Sequence, residues 1–212
     1  MTAFSANLGI KALLGREDIF PSSPAAAVPD TRECRLICRA QTGDCAAFRF
    51  LVEAHQEMIH RLCLQWLQCE DDAREACQDT FLKAWQALPA WQSRGKLSTW
   101  LYQIALNQCR DRAKSKSFRQ RRATVPFSTL TSMPACPQPS PDVAAARAGD
   151  MEKLQRGLAL LPEAYRIPLI LCALEGLSYQ EAATVVSCSL RALEGRLYRG
   201  RQMLLEWWNR QP

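Results

Sequence analysis

Apolar side chains return every three or four residues over three long stretches of the chain. From Asp44 onward, Phe48, Leu51, Val52, His55, Met58, Ile59, Leu62, Cys63 and Trp66 trace one face of a helix. Ala73, Ala76, Cys77, Thr80, Phe81, Ala84, Trp85 and Leu88 trace a second face, which Pro89 ends. Leu97, Trp100, Leu101, Ile104, Ala105 and Cys109 trace a third. No stretch alternates apolar and polar residues between turn signals as a strand would, so the predicted class is all-α.

Two proline-rich stretches break the periodicity. The first, P-S-S-P-A-A-A-V-P from Pro21 to Pro29, forbids a long helix and makes residues 1–30 an expected flexible extension. The second holds five prolines between Thr124 and Pro141 among Ser, Thr and Ala, the composition of an extended linker. The expected organisation is therefore a helical domain over 31–122, a linker over 123–149 and a second helical domain over 150–212. In that second block Leu154, Leu158 and Leu161 mark a helix ended by Pro162. Residues Glu163 to Glu175 predict another, kinked at Pro168 and stopped at Gly176. Ser178-Tyr179-Gln180-Glu181 is a capping box that opens a short helix to about Val186. Ser187-Cys188-Ser189 is a turn, and Ser189 caps a last helix to about Trp207. Two short helices across a three-residue turn predict a helix-turn-helix.

Charge sharpens this picture because of where it lies. The 212 residues carry 27 Lys and Arg against 21 Asp and Glu, a net charge of +6. The run from Arg110 to Arg122, R-D-R-A-K-S-K-S-F-R-Q-R-R, holds seven basic residues and one acidic, so +6 resides in thirteen residues. That density suits phosphate contact, with affinity that falls steeply with salt. Upstream, Trp85 and Trp100 fit the apolar stripes, whereas Trp91 follows Pro89 in a polar loop. Trp91 has two readings: it holds an unstacked base beside the basic residues, or it folds back onto the core. In the last helix Leu190, Leu193, Leu197 and Leu204 are expected inward. Arg191, Ala192, Gly195 and Arg199 are then outward, with Arg196 at the boundary. The first turns of such a helix reach base edges in the major groove. Gly195 costs about 1 kcal/mol of helix propensity, which a close approach to DNA or to another backbone would explain.

Other function classes find little support. The sequence holds no Gly-rich phosphate loop, no H-E-x-x-H and no G-x-S-x-G, so no enzyme is expected. The ten cysteines include no C-x-x-C pair and accompany only two histidines, so no zinc site and no cofactor are expected. Most cysteines read as small buried hydrophobes in a reducing compartment, with a thiol sensor at Cys34 and Cys38 as the alternative. No apolar run is long enough for a membrane span and no signal peptide opens the chain, so a cytoplasmic location is expected.

At this point a family resemblance emerges. D-D-A-R-E-A-C-Q-D-T-F-L-K-A-W, Asp71 to Trp85, resembles the polymerase-binding helix of extracytoplasmic-function sigma factors. W-L-Y-Q-I-A-L-N-Q-C-R-D, Trp100 to Asp111, resembles the helix that melts and reads their minus-ten element. L-P-E-A-Y-R, G-L-S-Y-Q-E-A-A and R-L-Y-R-G-R, between Leu161 and Arg201, resemble their minus-thirty-five reader. The resemblance covers roughly 35–122 and 150–206, with the motifs in family order. It departs where the family often has Gly and this chain has Ser187, and where Lys-Ser often precedes the recognition-helix Arg but Glu194-Gly195 precede Arg196 here.

The resemblance implies a bacterial factor that binds core RNA polymerase and directs promoter-specific transcription initiation. Gln78, Asp79, Phe81, Lys83 and Trp85 are the implied polymerase contacts. Trp91, Asn107, Asp111, Arg112, Lys114, Lys116, Arg119, Arg121 and Arg122 are the implied contacts to the opened promoter. Arg191, Ala192, Gly195, Arg196 and Arg199 are the implied contacts to upstream duplex. It also implies an inhibitory anti-sigma factor, in the family often membrane-bound, and no small-molecule substrate. Two rivals stay open on the residues alone: a conventional helix-turn-helix regulator with a ligand-sensing first domain, and an enzyme with a DNA-binding tail.

Overall fold

The computed structural model describes residues 31–92, 95–115 and 153–210, which fall into two separate helical units. The described residues contain helices and no strand, in agreement with the all-α expectation. The proline-rich stretches lie outside the described residues.

The first unit comprises α1 (Thr31–Gln41), α2 (Cys45–Leu67), α3 (Glu70–Ala87) with a 3-10 turn at Leu88–Ala90, and α4 (Leu97–Lys114). Asp44 starts α2 by accepting the Ala46 and Ala47 amides at 2.9 and 3.0 Å. Arg39 of α1 donates to the same carboxylate at 2.9 Å. The Ala47 amide and the guanidinium together hold that carboxyl below its ordinary value. Gln68, in the left-handed region at φ 53°, ends α2. Ile59, Leu62, Cys63 and Trp66 of α2, Ala73, Ala76, Cys77 and Ala84 of α3, and Leu97, Leu101, Tyr102, Leu106 and Cys109 of α4 are buried together. Helix α1 was not expected; its inward residues Ile37 and Ala40 make too short a stripe to read as periodicity.

The second unit comprises a helix over 153–160 (α5), α6 (Glu163–Leu169), α7 (Tyr179–Val185) and α8 (Leu190–Asn209). The single helix expected from Glu163 to Glu175 is α-helical only to Leu169 and continues as a π turn over Ile170–Leu174. Pro168 has no amide for the Ala164 carbonyl and its ring crowds that carbonyl. The backbone beyond it is wider, and the Glu175 amide bonds the Ile170 carbonyl at 3.0 Å. Gly176, at φ 70°, then turns the chain, as expected. The capping box is present, with the Ser178 amide donating to Glu181 at 2.9 Å and the Glu181 amide to Ser178 Oγ at 3.3 Å. Gly157 is a packing requirement, because a Cβ there would lie 2.7 Å from Leu204 and 2.8 Å from the Trp207 ring.

Helix α7 ends in a Schellman motif. The Cys188 amide bonds the Ala183 carbonyl at 3.0 Å and the Ser187 amide bonds that of Thr184 at 3.2 Å. Ser187 itself stands at φ 54°, a conformation that glycine adopts without strain and that costs a residue with a Cβ about 1–2 kcal/mol. Ser187→Gly should therefore stabilise the second unit by about 0.5–1 kcal/mol once the extra freedom of the unfolded glycine is subtracted. Thermal unfolding checks this, and a lower melting temperature for the variant would contradict it.

Among the described cysteines, Cys63, Cys77, Cys109 and Cys172 are buried whereas Cys38 and Cys45 are exposed. A hydrogen bond with Cys109, reinforced by burial, pushes the Cys63 thiol far up. Burial pushes Cys77 up to about 11 and Cys172 up to about 12, from an ordinary value of 9.0. A maleimide at neutral pH should label Cys38 and Cys45 in the folded protein, and Cys63, Cys77 and Cys172 only after denaturation. Folded thiols that stay neutral favour the folded state below pH 9.0, and that contribution fades as pH rises from there toward 11 and 12. Cys77→Ala with Cys172→Ala should reduce the loss of stability above pH 9.0, measured by urea unfolding; equal losses in the parent and the variant would contradict the assignment.

Candidate polymerase and nucleic-acid interfaces

Helix α3 turns small side chains inward and leaves a polar outer side. Gln78 and Lys83 are exposed, while Asp79, Phe81 and Trp85 are half-buried. Trp85 is engaged within the unit, its ring 4.9 Å from that of Phe48 on α2. Leu82, which had no place on the apolar stripe, is 58% exposed between Gln78 and Gln86. It is the large apolar side chain on this face that the periodicity did not single out, although an apolar residue off the stripe is itself a signal of a surface to be covered.

On α4, Trp100, Gln103, Asn107, Asp111 and Lys114 recur at three- and four-residue steps and are all at least partly exposed. They form one stripe leading toward the basic run. Trp91 joins its beginning, its ring 5.4 Å from that of Trp100 and inclined by 31°. The Trp91 carbonyl accepts from Gln41 Nε2 of α1 at 2.8 Å, which fixes the backbone of the loop. Trp91 thus folds back onto Trp100 and keeps part of its surface exposed. Lys116, Arg119, Arg121 and Arg122 lie outside the described residues.

Arg112 occupies a different side of α4. Its guanidinium donates to Glu75, donates to Asp79 at 2.9 Å and lies 3.8 Å from Asp72, all three carboxylates belonging to α3. Burial alone would lower its proton affinity, but the hydrogen bonds to Glu75 and Asp79 outweigh this and raise it. Among the residues expected at the opened promoter, Trp91, Asn107, Asp111 and Lys114 therefore share a face, and Arg112 faces the α3 carboxylates instead.

In the second unit Ser189 caps α8 by accepting the Ala192 amide at 3.2 Å. Leu193, Leu197 and Leu204 are buried, and Arg191, Ala192, Gly195 and Arg199 are exposed, with Arg196 half-buried between them. A Cβ at Gly195 would meet nothing within 4 Å, so no neighbouring part of this chain requires glycine there. Leu190 differs from expectation: it is 44% exposed. It heads the helix, directly after the cap, and lies on the rim of the shallow groove between α7 and α8 with Gln180, Thr184 and Ser187. Tyr198, 59% exposed, lies one turn beyond Gly195 on the outward face and was not anticipated. Arg201 is turned elsewhere, donating to the Tyr179 hydroxyl at 3.1 Å and tying α8 to α7.

A helical unit with an aromatic and polar outer stripe, together with a helix-turn-helix whose last helix shows arginines to solvent, has the form of a two-part nucleic-acid-binding protein. Two family models match the chain: Sigma-70 region 2 over residues 51–119 and Sigma-70, region 4 over residues 151–204. The chain is 30% identical over 179 residues to RNA polymerase sigma-H factor of Pseudomonas aeruginosa, covering 80% of this chain and 90% of that protein. It is 31% identical over 169 residues to ECF RNA polymerase sigma factor SigE of Mycolicibacterium smegmatis, covering 78% of this chain and 64% of that one. The solved structure of CnrH in complex with the cytosolic domain of CnrY is similar with a TM-score of 0.64 and 27% identity, covering 85% of this chain and 99% of that chain. The chain belongs to the sigma-70 family of RNA polymerase sigma factors, in its extracytoplasmic-function group.

Proposed function

We propose that this sigma factor divides promoter-specific initiation between its two units, with the polymerase supplying the chemistry. The outer face of α3, with Gln78, Asp79, Leu82 and Lys83, binds core RNA polymerase, and Phe81 and Trp85 support it from the rim. The α4 stripe from Trp100 to Lys114, with Trp91 at its start, takes the opened minus-ten strand. The basic run continuing through Lys116, Arg119, Arg121 and Arg122 adds phosphate contacts. Helix α8 reads the upstream duplex. The observation that carries this reading is the division of α8 into a buried leucine side and an exposed side of Arg191, Ala192, Gly195 and Arg199. That is the form of a recognition helix presented to a major groove.

Open space over Gly195 suits the close approach of a phosphate or base edge. Tethering both units to one polymerase raises the effective concentration of each at the promoter, so neither needs to bind DNA tightly alone. Because polymerase and promoter are intracellular, the factor works in the cytoplasm; no helix among the described residues is long and apolar enough to cross a membrane. An anti-sigma factor is the expected regulator. The CnrH structure, solved in complex with the cytosolic domain of CnrY, supports a protein partner for this chain.

Arg191 is in the first turn of α8 and Arg196 lies five residues on, about 140° further round, so the two do not share a base. Arg191→Ala should relax preference at one or two upstream positions, since a bidentate guanine contact contributes about 1–3 kcal/mol of discrimination. Arg196→Ala should lower activity on every promoter. Selection of randomised upstream elements by holoenzyme carrying each variant checks this. An unchanged preferred motif with Arg191→Ala would remove that residue from the reading set.

A further inference from the structure

We propose that Arg112 is a positioning residue of the polymerase-binding face rather than a phosphate contact: reaching across from α4, it sets the carboxylates of Glu75 and Asp79 on α3 in the arrangement that the polymerase meets. The proposal rests on the reading of the α3 outer face as the polymerase interface.

Asp72, Glu75 and Asp79 succeed one another at three- and four-residue steps, so they form a single acidic stripe on α3. Like charges at that spacing repel, and Asp72 is buried at its base, where a carboxylate needs a compensating cation. Arg112 is the cation that reaches all three. One terminal nitrogen serves Glu75 and lies 3.8 Å from Asp72, while the other serves Asp79 at 2.9 Å. The planar fork of a guanidinium suits this arrangement, whereas an ammonium would concentrate its charge at one point.

Exposure separates the roles of the partners. The Arg112 side chain is only 21% exposed, but those of Glu75 and Asp79 are 60% and 49% exposed. The carboxylates are therefore more available to a partner than the Arg112 side chain is. Arg112 is also fixed through its backbone, whose carbonyl accepts from the Ser115 amide at 3.1 Å and from Ser115 Oγ at 2.8 Å. To reach a phosphate it would have to give up its hydrogen bonds to Glu75 and Asp79. Lys114 and Arg110 flank it in sequence, so charge density alone places it in the basic run; only the contacts across to α3 separate it from its neighbours.

The test uses the full chain with purified core polymerase and with promoter-bound holoenzyme. Arg112→Gln should weaken binding to core roughly three- to tenfold, the loss expected when interface side chains must be ordered on binding instead of beforehand. The same change made on top of Glu75→Gln with Asp79→Asn should add little further loss, because the groups it positions have lost their charge. The salt slope of holoenzyme binding to promoter should not change. An additive loss in the two backgrounds would mark a general effect on the fold and overturn the proposal. So would wild-type core affinity with a salt slope lowered by about one, which would make Arg112 a phosphate contact. If Glu75→Gln with Asp79→Asn left core binding intact, the α3 interface itself would be lost. If that double variant weakened binding but Arg112→Gln did not, only the positioning role would fail.

Discussion

Ala73, Ala76, Thr80 and Ala84 line the inner side of α3, and the close packing their small side chains allow is the constraint on which the first unit depends. Thr80 satisfies its own hydroxyl by donating to the Ala76 carbonyl at 2.7 Å, so it can be buried without a partner from another helix. With α2 and α4 drawn against this narrow side, the longer polar side chains of α3 other than Asp72 lie at the rim or on the outside. That is how Gln78, Lys83 and Leu82 come to share an outer face. It is also how Arg112 of α4 comes within reach of carboxylates on α3. A wider residue at Ala76 or Ala84 would act on both the core and the outer surface.

The second unit solves a different problem in less chain. Its recognition helix is only as well placed as the turn before it, and that turn is held from both sides. The Schellman bonds close α7 and the Ser189 hydroxyl opens α8. Arg201 and Tyr179 tie the two helices together farther along. Ser187 shows that the left-handed turn does not need glycine when these contacts determine it. Where the family often has Gly, Ser187 here adopts the left-handed conformation that glycine favours.

Much of the fold was legible because it rests on signals that are local in sequence. The faces of α2, α3 and α4 follow from periodicity, and the capping box at Ser178 and the cap at Ser189 follow from residue type and spacing. Interactions between distant segments were not legible. Arg112 read as one more member of a basic run because its partners lie 33 and 37 residues away. The stacking of Trp91 on Trp100 likewise depends on the path of a loop. Helix α1 presents too few inward residues to register, and the π turn after Pro168 is a backbone response that a proline signals only as a disturbance. The candidate faces were legible largely through family motifs, and the structure adds which side chains on them are exposed and which are engaged.

The account is tested most directly by mixing the full chain with purified core RNA polymerase and a promoter fragment, and following complex formation and transcript synthesis together. The expected result is a stable complex with core enzyme, initiation that core alone does not support, and weak duplex binding by the chain by itself. Tight, sequence-specific duplex binding by the isolated chain, with no complex formed with core enzyme, would contradict it.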